Sequence, residues 1–112
     1  HVVEALHVAG QRLGKGHYHR GGNVTKDSLY AELSAETFLD LCRAQNCRST
    51  EMELSAIAVT AREYAAHFGM ISGILGVLPG VSFTESAPAR AAAERRALQV
   101  ALEAISQLVS RY

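Results

Sequence analysis

A chain of 112 residues, 48% hydrophobic and 20% charged, is long enough for one domain with a buried core and too apolar for a disordered tail. Eleven lysines and arginines balance eleven aspartates and glutamates, so the chain lacks the basic excess with which a general nucleic-acid binder neutralises phosphates.

Taken in chain order, the first predicted element is a helix over residues 2–13, with Val2, Val3, Leu6, Ala9 and Leu13 on one stripe. Gly14, Gly16, Gly21 and Gly22 then mark residues 14–23 as a polar loop carrying Lys15, His17, Tyr18, His19 and Arg20. A short helix is expected over residues 27–33. Ser34 is placed to cap another over residues 35–44, whose apolar positions are Phe38, Leu39, Leu41 and Cys42 and which Asn46 helps to end. Thr50-Glu51-Met52-Glu53 reads as a capping box, Thr50 accepting from an orphan amide and Glu53 reaching back. Behind it Leu54, Ile57, Ala61, Tyr64, Phe68, Ile71, Leu75 and Leu78 alternate in steps of three and four, a heptad seam that Pro79 and Gly80 stop. A helix over residues 51–78 would be roughly 40 Å long. It would outrun a small core, so part of it packs on another chain or it breaks near residues 69–76. Ala65, Gly69 and Gly73 recur every four residues beside the seam. That spacing permits a kink or close intramolecular packing, or a tight crossing between two copies.

Residues 81–88 connect to a last helix that has Ser86 or Ala87 before it and Pro88 in its first turn, and that ends near residue 110. Leu98, Ala101, Ile105, Leu108 and Tyr112 form its apolar face, widened by Leu102 and Val109, and Arg90 and Glu94 pair on its exposed side. No alternating pattern of useful length predicts a strand. The expected fold is all-α, with four to five helices and one long central helix, packed as a helical homodimer. It forms a single domain over residues 1–112, an N-terminal helix and glycine-rich loop over 1–24 followed by a helical core over 27–112.

Few residues carry recognisable chemistry. His17 and His19 alternate in the glycine-rich loop and would need a third ligand from His7 or His1 to hold zinc or nickel, whereas two loop histidines alone are ordinary surface residues. His67 reads as an interface residue. Cys42 fits an apolar helix face, and nothing sets a histidine beside it as a base. Glu32, Glu36 and Asp40 make a solvated acidic face without the ExxH element of a di-iron bundle. The glycines match neither phosphate-cradling pattern. Cys42 and Cys47 are five apart and would point about 140° from each other on one helix, so they read as reduced thiols of a cytoplasmic protein. No leader pattern is visible, and the apolar run over residues 70–81 is too short to span a membrane. The neutral total conceals a net +3 over residues 1–26, −4 over 27–63 and +1 over the remainder, a polarity suited to contact between protein surfaces.

Ile74-Leu75-Gly76-Val77-Leu78-Pro79-Gly80-Val81 resembles the apolar end of the long helix in small helical antiactivators of quorum-sensing transcription factors. Ile74, Leu75, Gly76 and Pro79 match that pattern, Val77 replaces its aromatic residue, and residues 50–58 are similar to the capped start of the same helix. The resemblance covers at most thirty residues, and residues 82–112 depart from it. It implies a homodimer that binds a LuxR-type activator and keeps it from its promoter.

The expected function is therefore a non-enzymatic regulatory protein without cofactor or metal, contacting neither nucleic acid nor membrane directly. Its interface with itself or its partner would comprise Leu54, Ile57, Ala61, Tyr64, Ala65, Phe68, Gly69, Ile71, Gly73, Leu75, Leu78, Leu98, Ile105 and Leu108, with polar contacts from Lys15, Tyr18 and Arg20. Two alternatives differ in class: a small metal-binding enzyme or module built on the His17/His19 loop, and a structural or assembly subunit of a larger helical complex.

Overall fold

The computed structural model describes residues 1–14, 16–26, 35–74 and 86–110, without the side chains of Ala35 and Glu36. The described residues form helices α1 (Val2–Leu13), α2 (Ala35–Ala44), α3 (Leu54–Glu63) and α4 (Ala87–Val109), and strands β1 (Gly22–Thr25) and β2 (Cys47–Glu51). The strands pair in parallel, with α2 in the connection between them. This is a mixed α/β fold, and the all-α expectation is wrong. Its cause is local: β1 reads GNVT and β2 reads CRSTE, too short and too polar to show the apolar alternation of a half-buried strand.

Three helices start and stop where the sequence places them. The helix over residues 2–13 is α1, that over 35–44 is α2, and Ser86 caps α4 by accepting from the Ala89 amide at 3.4 Å, with Pro88 in the first turn. Asn46 ends α2 in the left-handed region, at φ 52°. The short helix expected over residues 27–33, the Pro79-Gly80 stop and most of the 81–88 connector lie outside the described residues.

The long central helix does not form. α3 ends at Glu63. The Ala65 amide then bonds the Arg62 carbonyl, that of Ala66 bonds Ala61, and Ala65 turns to φ 51°. This double closure is a Schellman-type stop made without glycine. Beyond it, residues 65–74 are not helical, so the two halves of the predicted seam do not share one helix face.

The core lies between α1 and α4. Ala5, Leu6 and Ala9 bury against Val100 and Ala104, and Val2, Leu13, Ile71 and Leu108 pack around them. Alanines at the centre let the helix axes approach closely. Arg12 and Glu103 form an ion pair across one edge of this contact. Gly69 and Gly73 serve the same core: a Cβ on Gly69 would press on Val2 and Leu6 of α1, and one on Gly73 would lie 3.0 Å from the Ala93 carbonyl carbon of α4. Tyr18 folds back over α1, its ring against Gly10 and its hydroxyl 3.2 Å from His7 Nδ1.

Candidate active site at the carboxyl ends of the strands

Parallel strands aim their carboxyl ends in one direction, and in open α/β sheets ligands bind outside those ends. Here both strands stop at the same level, Thr25 paired with Glu51, and α3 begins three residues after β2. The short β2–α3 connection therefore sits at the strand ends and at a helix N-terminus, where unpaired amides favour negative charge.

Glu51 organises this point. One of its carboxylate oxygens, Oε1, accepts from Asn23 Nδ2 at 2.8 Å and from the Thr25 hydroxyl at 2.5 Å. The other, Oε2, accepts from the amides of Glu53 at 2.7 Å and Leu54 at 2.5 Å. Burial works against the charge on Glu51, but the bonds from the Thr25 hydroxyl, the Glu53 amide, the Asn23 side chain and the Leu54 amide outweigh it and lower the carboxyl from 4.5 to about 2. Surrounding residues extend the network. Ser49 donates to Asn23 Oδ1 at 2.8 Å, the Thr25 oxygen accepts from the Ser55 amide at 3.2 Å, and the Lys26 amide donates to the Glu51 carbonyl at 2.8 Å. The ammonium of Lys26 lies 5.2 Å from the centre of the Phe38 ring, within cation–π range.

The predicted capping box is replaced rather than realised. Thr50 lies within β2 and its buried hydroxyl has no hydrogen-bond partner among the described residues, while Glu53 occupies the N-cap without a capping bond from its own side chain to the helix. Glu51 does the capping. Glu53 Oε2 accepts from the Met52 amide at 3.1 Å, and both Met52 and Glu53 are exposed. The strand-end connection thus presents a thioether and a carboxylate to solvent.

A model of the phosphorylase superfamily matches residues 1–112. The chain belongs to the phosphorylase superfamily. No curated protein and no solved structure matches it. Membership in a superfamily of enzymes overturns both the resemblance to quorum-sensing antiactivators and the non-enzymatic regulatory function it implied. The apolar stretch over residues 74–81 that carried that resemblance is a pattern many unrelated chains share. With it go the expected partnership with a LuxR-type activator and the role in transcription regulation.

The enzymatic alternative fares better in class than in detail. His17 and His19 are both exposed, and no three His, Cys, Asp or Glu side chains among the described residues are grouped to hold a metal ion. The residues expected at an interface are dispersed. Leu54 and Ala61 are half-buried on α3 while Ile57 is exposed, and Tyr64 and Ala65 stand at the turn that ends it. Phe68, Gly69, Ile71 and Gly73 line the segment that packs on α1 and α4. Leu98 and Ile105 are exposed on α4, and Leu108 packs against the core. Tyr18 is held by His7, Arg20 lies 3.7 Å from Glu4, and Leu75, Leu78 and Lys15 fall outside the described residues. Sequence reasoning missed Asn23, Thr25, Ser49 and Glu51 as a group. Their signal was polar alternation at 23/25 and 49/51, the reverse of the apolar alternation usually sought. Among the described residues no helix is long and apolar enough to cross a membrane.

Proposed function

We propose that this protein is an enzyme of phosphate-dependent bond cleavage, and that its organic substrate meets the chain at Met52 and Glu53. In such a reaction a phosphate oxygen bonds to the carbon that the leaving group departs from. The observation that carries the assignment of place is the Glu51 carboxylate. Standing at the end of β2 and bonded on one side to Asn23 and Thr25 of β1 and on the other to the Glu53 and Leu54 amides, it fixes where Met52 and Glu53 stand. The Glu53 carboxylate is suited to accept hydrogen bonds from vicinal hydroxyls, and the Met52 thioether to lie against the apolar face of the same ring. A glycoside offers both features. The unbridged Cys42 and Cys47 support placing the enzyme in the reducing cytoplasm.

The test is phosphate-dependent release of the leaving group from a panel of N- and O-glycosides, using the full chain. Turnover should vanish when phosphate is omitted. Glu53→Gln should lower kcat/KM by about 100-fold while leaving stability within about 0.5 kcal/mol of the parent. Cleavage without phosphate, or undiminished in Glu53→Gln, would overturn the reading.

A further inference from the structure

A concave site lies away from the strand carboxyl ends. It is a cleft of about 530 Å³ between α1, the segment leading into β1, the start of β2, residues 70–74 and α4. Small-molecule sites fall in this size range. Its floor is apolar, made by Val3, Leu6, Ile71 and Val100. Its polar lining combines Arg20, Arg48 and Arg96 with His17, His19, Tyr18, Ser49 and Ser72, and no carboxylate stands among the described lining residues. Arg20 is drawn toward Glu4 at 3.7 Å, while neither Arg48 nor Arg96 makes an ion pair among the described residues.

Arg48 is placed there by two features of the backbone. The β1–β2 register runs from Gly22↔Cys47 directly to Asn23↔Ser49, so Arg48 is the unpaired residue of a bulge. Bulges re-aim a side chain, and they are uncommon in parallel pairs. Gly21 then receives the arginine stem: a Cβ at Gly21 would lie 2.8 Å from Arg48 Cβ and closer still to its Cγ. The side chain is laid across a backbone that only glycine leaves open.

We propose that this cleft binds an organic phosphate monoester, its phosphate held by Arg48 and Arg96 and its apolar body on the Val3, Leu6, Ile71 and Val100 floor. Guanidinium forks match phosphate oxygens two at a time, and unneutralised arginines on a half-enclosed wall focus the field on an anion. The cleft stands at the amino ends of the strands, so the site is separate from Met52 and Glu53 and does not depend on the reading given to them.

Isothermal titration of the full chain with phenyl phosphate and, separately, inorganic phosphate tests this. Phenyl phosphate should bind saturably, about tenfold or more tighter than inorganic phosphate, because only the ester reaches the apolar floor. Arg48→Gln and Arg96→Gln should each weaken it by about tenfold or more, and Arg95→Gln, exposed on α4 outside the cleft, should not. Thermal melts of each variant establish that it is folded, and Arg48→Lys, which keeps the charge without the fork, should bind with intermediate affinity. Absence of saturable phenyl phosphate binding, equal affinity for the two probes, or affinity unchanged in both glutamine variants would overturn the proposal.

Discussion

Glu51 shows how one side chain can take over the work of a local motif. A capping box presumes that the helix follows its threonine at once. Because residues 47–51 extend as β2, the Thr50 hydroxyl makes no bond to α3 among the described residues, and the carboxylate next along the chain bonds both the neighbouring strand and the helix amides. Replacing it tests that account. Glu51→Gln sets an amide NH2 against two of the four donors the carboxylate accepts from and should cost about 1–3 kcal/mol in urea unfolding at neutral pH. The pH dependence has a definite sign. The folded-state pKa of about 2 lies below the ordinary 4.5, so the Glu51 contribution is complete above about pH 4.5 and is lost as pH falls from there through about 2. The parent should therefore lose stability across that window more steeply than Glu51→Gln, and parallel curves would remove Glu51 from the account. Ala65 offers a gain instead. Its φ of 51° strains any residue with a Cβ by about 1–2 kcal/mol, more than the extra unfolded-state entropy of glycine, so Ala65→Gly should raise the thermal midpoint.

At the level of elements, helices were legible and strands were not, for physical reasons visible in particular residues. α1, α2 and α4 carry their own boundaries in Leu6 and Ala9, in Asn46, and in Ser86 and Pro88, where periodicity, a left-handed stop and a cap act within a few residues. β1 and β2 are held by each other and by Glu51, contacts between residues 25 to 28 positions apart that no local window contains. The seam from Leu54 to Leu78 misled because its spacing persists through residues that serve two different elements. Of the small residues beside it, Ala65 is an exposed turn residue, while Gly69 packs closely on α1 and Gly73 on α4 inside the molecule. The backbone of a helix cannot retreat as a flexible side chain can, so Gly73→Ala, with its Cβ 3.0 Å from the Ala93 carbonyl carbon and 3.1 Å from its oxygen, should destabilise by about 1–3 kcal/mol in urea unfolding. An unchanged midpoint would show that the 70–74 segment shifts freely on α4.

At the scale of the whole molecule, the described apolar residues are only partly buried. Among the described residues the buried hydrophobic core is five side chains, three of them alanine, while Leu98, Leu102, Ile105 and Val109 are each more than half exposed on α4. Their steps of four, three and four keep them on one face, turned away from the side that Val100 and Ala104 bury against α1. A stripe of that period suits another helix of the same kind, and a neutral chain sets no long-range repulsion between two copies. We therefore place the homodimer expected from the sequence on this stripe of α4 rather than on a long central helix. Size-exclusion chromatography with light scattering should return twice the 12.0 kDa chain mass and a thermal midpoint that rises with protein concentration. Leu102→Glu, which sets like charges face to face in an isologous contact, should return the single-chain mass without loss of the α1–α4 core. A parent that stays at 12.0 kDa at high concentration, or a Leu102→Glu variant that keeps the doubled mass, would take the contact off this face of α4.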